Sequence, residues 1–171
     1  GDDAVVGTNE VTATLAFTMD AVTEETATLE GTYEIPAEGA DAVYTVSAEY
    51  ANYPVADKLK VSAYGEYTNV ASDFLAEEED YTYFGTLTLD YAYTTNTAFQ
   101  LEGRYDSDPG VSSADAGLPK YSAYAEVAHT LATDTTLTVS YELNTWDITD
   151  VDYKGIQDGV GTFEAELEVT F

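Results

Sequence analysis

The chain has 171 residues, with 33 Asp or Glu against 5 Lys or Arg and a net charge of −28. It has no Cys and a single His, which excludes disulfides, thiolate metal sites and cysteine nucleophiles and leaves little for a histidine-based metal centre. Such acidity repels nucleic acid and anionic surfaces and attracts cations, yet at 44% hydrophobic residues with 15 Tyr the chain is too apolar for a solvated tail.

Gly1-Asp2-Asp3 reads as a processed or trimmed terminus. From there a period of two runs through the sequence. "EVTATLAFTM" puts Val11, Ala13, Leu15, Phe17 and Met19 on one face. "TATLEGTYEI" puts Ala27, Leu29, Gly31, Tyr33 and Ile35 there, and the third segment gives Ala42, Tyr44, Val46, Ala48 and Tyr50. The fourth gives Leu59, Val61, Ala63, Gly65 and Tyr67. The fifth is the longest, with Tyr81, Tyr83, Gly85, Leu87, Leu89, Tyr91 and Tyr93. Phe99, Leu101, Gly103 and Tyr105 follow, then Tyr121, Ala123, Ala125 and Val127, then Leu137, Val139, Tyr141 and Leu143. The last segment, "GTFEAELEVTF", alternates Phe163, Ala165, Leu167, Val169 and Phe171 with Thr and Glu. Between the apolar residues stand Thr, Ser and Glu almost throughout. No segment has the i, i+3, i+4 pattern of an amphipathic helix, and no apolar run reaches the length of a transmembrane helix. The sequence therefore predicts one all-β domain over residues 1–171, an antiparallel up-and-down barrel of about eight to ten long strands.

The connections alternate in length. "DAVTEE", "PVAD", "TTN" and "ATDT" are short, whereas "ASDFLAEEED", "DSDPGVSSADAGLP" and "NTWDITDVDYKGIQDGV" are long and acidic. In a meander, successive connections fall at opposite ends, so short turns are expected at one end and long acidic loops at the other. Glu77, Glu78, Glu79, Asp80, Asp106 and Asp108 would gather at the loop end as oxygen ligands for Ca²⁺. Asp147, Asp150 and Asp152 belong to the same end, but no EF-hand spacing is present and a charge run is first of all a solvated loop. His129 lies near "ATDT", away from those acids, and reads as a rim imidazole. Trp146 reads as an interface anchor. No nucleophile, base and orienter converge, so no enzyme is expected and no cofactor beyond Ca²⁺.

A meander with one apolar face has two homes. The face can point inward as the core of a soluble barrel, or outward to lipid with the polar face lining a lumen. The rings are sorted along the strands. Tyr81 and Tyr83 stand at one end of the fifth segment and Tyr91 and Tyr93 at the other, and Phe163 and Phe171 bracket the last. Lipid favours aliphatic residues at mid-height and rings at both interfaces.

The terminal "FEAELEVTF" resembles the last strand of bacterial outer-membrane β-barrel proteins, which alternates apolar residues and ends in Phe. The resemblance implies an outer-membrane location and lipid as a partner. It also implies reading by the barrel-assembly machinery, with Phe163, Leu167, Val169 and Phe171 as the assembly signal. Under this reading the polar face is an acidic lumen. Glu49, Glu102, Glu126, Glu142 and Glu166 would line a structural or passive, cation-favouring path. The alternative is a secreted, water-soluble acidic barrel or sandwich, located at the cell surface. There an odd strand count leaves an edge for homo-oligomeric pairing, and the acidic loops would be bridged by Ca²⁺ in an extracellular layer or filament.

Overall fold

A computed structural model describes residues 9–35, 42–69, 81–107, 120–145 and 159–170. These form nine strands: β1 (Asn9–Asp20), β2 (Glu25–Ile35), β3 (Val43–Ala56), β4 (Leu59–Asn69), β5 (Tyr81–Thr94), β6 (Thr97–Asp106), β7 (Lys120–Ala132), β8 (Thr135–Asn144) and β9 (Val160–Val169). They make a single sheet in sequence order, each strand antiparallel to the next. The short connections, 21–24, 57–58, 95–96 and 133–134, share one end. The connections at the other end run largely outside the described residues.

The register keeps the two faces separate. On one face Leu15 stands opposite Leu29 and Leu29 opposite Ala48. Farther along, Leu89 faces Leu101, Leu101 faces Ala125, Ala125 faces Tyr141, and Tyr141 faces Phe163. A slip of one residue would send each strand's apolar set to the polar side, so the alternation itself fixes the pairing.

The register shifts in β3 between Tyr50 and Tyr53. Asn52 takes a left-handed backbone there, with φ of 62°. This bulge carries β3 on to Ala56, so "PVAD", read from sequence as a turn, is mostly strand and the reversal falls on Asp57 and Lys58. Beyond the bulge the parity of the apolar face changes, from Tyr50 opposite Ala63 to Tyr53 opposite Val61.

Closure into a barrel is corrected by the structure, in which β1 and β9 are the two open edges of the sheet. The reason is parity. In an up-and-down meander all odd-numbered strands run the same way, so β1 and β9 are parallel to each other. The antiparallel ladder that joins every other pair cannot join these two, and closed bacterial barrels have even strand numbers for this reason.

No hydrophobic side chain among the described residues is buried. The sheet is more enclosed on its polar side: in β6, Gln100, Glu102 and Arg104 are half-buried and Asp106 is buried, while Phe99, Leu101 and Gly103 are exposed. Leu15 is 58% exposed and Leu101 52%. The chain exposes 11742 Å² for a mass of 18.5 kDa, where a compact folded chain would expose roughly 8,200 Å². Among the described residues the sheet is a single layer with no second layer on its apolar face.

Candidate functional site: the polar face

The polar face is built in rows that cross the strands. Thr12, Thr32, Thr45, Thr68 and Thr82 stand in successive register from β1 to β5. The hydroxyls of Thr45 and Thr68 are 2.9 Å apart, and those of Thr12 and Thr32 3.3 Å. A β-branched hydroxyl suits this wall, since its methyl packs on the pleat while its oxygen meets a neighbour across the ladder.

Carboxylates stand in rows on both sides of this threonine row. Lys60, Asp90, Gln100, Glu126, Ser140 and Glu164 form one row from β4 to β9. Gln100 Nε2 donates to Asp90 Oδ1 at 3.0 Å, and the Tyr124 hydroxyl donates to Glu126 Oε2. In the next row Glu102 faces Tyr124 and Tyr124 faces Glu142. Thr88 Oγ1 donates to Glu102 at 3.2 Å and Asn144 Nδ2 to Glu142 at 3.3 Å. Glu49 stands between Thr28 and Tyr64, and Glu166 is opposite Thr138 on the exposed edge strand. The five carboxylates singled out from sequence thus share one face, spread over five strands rather than gathered at a point.

The cations are few. Lys60 Nζ donates to the Thr23 carbonyl at 3.0 Å and Lys58 Nζ to the Tyr93 carbonyl at 2.8 Å, both at the turn end. Toward the other end, Arg104 Nη2 is 3.5 Å from Asp106 Oδ2. Lys120, opposite Asp106 in register, is buried. Sequence reasoning started β7 one residue late and so left Lys120 off this face. It also missed three aromatic residues on the polar parity, Tyr64, Phe84 and Tyr124, because the apolar and polar sets were read from the majority in each strand.

On the apolar face the rings line up. At the end away from the short turns, Tyr44, Tyr67, Tyr81, Tyr83, Tyr105 and Tyr121 form a continuous ladder. Successive centroids are 6.1, 5.8, 6.2, 5.4 and 5.1 Å apart. At the turn end Tyr91, Tyr93 and Phe99 are in mutual contact, and Tyr50 packs on Tyr53. Tyr44, which its sequence position left outside the two groups, belongs to the first. Phe163 faces Tyr141 and is 67% exposed. Leu167 and Val169 follow it on the same face of β9, and Phe171 lies outside the described residues.

Of the expected Ca²⁺ ligands only Asp106 is described, and it is turned to Arg104; Glu77, Glu78, Glu79, Asp80 and Asp108 lie outside the described residues, as do Trp146, Asp147, Asp150 and Asp152. Among the described residues no three His, Cys, Asp or Glu side chains are grouped to hold a metal. His129 is exposed on the apolar parity of β7 near the turn end, its Nδ1 2.8 Å from Thr97 Oγ1. The polar face offers distributed negative charge and ordered hydroxyls, a chemistry suited to attracting and passing cations. No family model matches this chain, and no curated protein or solved structure is significantly similar to it.

Proposed function

We propose that the sheet belongs to an outer-membrane β-barrel, closed by strands beyond the nine described, whose apolar face meets lipid and whose polar face lines an acidic, passive, cation-favouring path. One observation carries this reading. The middle of the sheet partly encloses its polar side chains and leaves its aliphatic and aromatic face uncovered, with Leu15, Leu29, Leu87, Leu101 and Leu167 all exposed. Soluble monomers rarely expose apolar patches beyond a few hundred Å². A soluble barrel with these faces would enclose the apolar residues instead. The two groups of rings flanking the aliphatic middle are the arrangement a bilayer favours. Barrel closure then requires one more strand, or another odd number of strands, running opposite to both β1 and β9.

The second reading, a secreted acidic protein that assembles through strand pairing, is favoured by the two open edges. Sedimentation of the purified protein in salt-containing buffer separates the two readings. The membrane reading expects a discrete species in detergent and precipitation without it. A discrete, detergent-free oligomer would overturn it in favour of the second. In planar bilayers under a salt gradient, the membrane reading further expects a reversal potential on the cation side.

A further inference from the structure

Phe84 breaks the pattern of its strand. β5 presents Thr82, Thr86, Thr88 and Asp90 on the polar face, and Phe84 stands among them. An isolated apolar ring on a hydrated wall would gain nothing from being there. This ring is held from two sides. The Tyr64 ring lies 5.4 Å away, and the guanidinium carbon of Arg104 sits 4.3 Å from the Phe84 centroid.

Arg104, the only arginine of the chain, reaches diagonally from its register partner Thr86 to cover Phe84. Its planar cation can stack on a ring and pair with a carboxylate at once, which an ammonium does less well. The outer members are tethered in turn. The Tyr64 hydroxyl donates to Glu66 Oε2 at 2.5 Å, and Arg104 Nη2 contacts Asp106 at 3.5 Å. A long side chain on a lumen wall normally swings aside and obstructs little. Here three bulky groups from adjacent strands are held against one another, with Thr68 and Thr82 in the row beyond them and Glu49, Glu66 and Asp106 beside them.

Resting on the pore reading above, we propose that Tyr64, Phe84 and Arg104 form the constriction that sets the size limit of the path. Arg104 is then also a specificity-determining residue. It places a positive charge at the narrow point of a wall that is mostly acidic and so holds cation preference below what the carboxylates alone would give.

Single-channel recording of the detergent-purified protein in planar bilayers tests this, with sheet content followed by circular dichroism. Phe84→Thr, which restores the residue of its strand neighbours, is expected to raise unit conductance about twofold or more at unchanged reversal potential, as befits removal of an uncharged obstruction. Arg104→Gln is expected to raise conductance and move the reversal potential further to the cation side. Arg104→Lys keeps the charge and loses the stacked plane, so it should raise conductance alone. It also serves where Phe84→Thr fails to fold.

Folded variants with wild-type conductance would overturn the constriction while leaving a cation-selective wild type, and with it the pore reading, intact. A silent wild type opened by Phe84→Thr or Arg104→Gln would sustain the constriction and replace the open path by a closed one. Silence in every folded form would overturn both.

Discussion

Single residues account for the departures from simple alternation. Asn52 is the clearest case. Its φ of 62° lies in the left-handed region, which asparagine tolerates better than most side chains. Its backbone N–H donates to Ser62 Oγ at 3.0 Å, and its side-chain Nδ2 donates to the Glu24 carbonyl at 3.1 Å. The bulge is therefore tied both to β4 and to the β1–β2 turn. Asn52→Gly keeps the backbone geometry and loses the side-chain bond, so it should cost about 1 kcal/mol. Asn52→Val adds left-handed strain to a β-branched residue and should cost a further 1–3 kcal/mol or so. Urea unfolding of the lipid-reconstituted variants measures both, and equal losses would mean that the bulge relaxes without the left-handed residue. Nothing in "SAEYANYPVAD" announces the bulge, because a bulge changes parity without changing composition. The rings on the polar face were hidden for a related reason. In "YTYFGTLTL" Phe84 sits next to Tyr83, and only the register decides which of two adjacent aromatic residues faces the polar side.

Whole strands were the most legible level of structure. β-branched and aromatic residues at period two give nine strands whose faces stay in phase across the pairings except where the register shifts near the short turns. What alternation could not supply was which face is the more enclosed, because the same ribbon can fold either side inward. That came from the half-burial of Gln100, Glu102 and Arg104 against the exposure of Phe99 and Leu101. The lipid-facing assignment makes a depth-dependent prediction at this scale. Leu101 lies at the aliphatic middle of β6, with Leu89 and Ala125 beside it. Val11 stands on the ring-bearing end, opposite Tyr33. Both are more than half exposed, at 52% and 57%. If water met this face, an arginine at either site would be nearly neutral. In a bilayer, Leu101→Arg should cost about 2–4 kcal/mol and Val11→Arg no more than about 1 kcal/mol. Folding free energies in phosphatidylcholine vesicles measure the difference, and equal, small costs at the two sites would reject a lipid-facing sheet.

At the scale of the whole molecule two properties dominate, strand parity and charge. Parity decides that the nine strands described cannot close antiparallel on themselves, a conclusion that needed only the count and direction of the strands. Charge would decide how the molecule meets a membrane. With a formal charge of −28, its field repels any anionic surface it approaches. The edge strand β9 alone carries Glu164, Glu166 and Glu168 on its polar side, facing Ser140, Thr138 and Thr136 rather than cations. On the membrane reading, folding into a bilayer would bring these acids close to the headgroups before the polar face is enclosed. Refolding yield should therefore fall as anionic lipid replaces phosphatidylcholine at low salt. Because this repulsion is long-ranged, it should respond to screening. The Debye length is about 10 Å at 0.1 M salt and about 3 Å at 1 M, so the penalty should largely vanish across that range. Repulsion confined to contacts within the protein would respond to salt equally in neutral vesicles, which makes the neutral series the control. The refolded fraction, read by protease protection in vesicles of graded anionic content, tests this directly. A yield indifferent to lipid charge at low salt would mean that the acids are shielded before insertion, and the electrostatic account of assembly would fall.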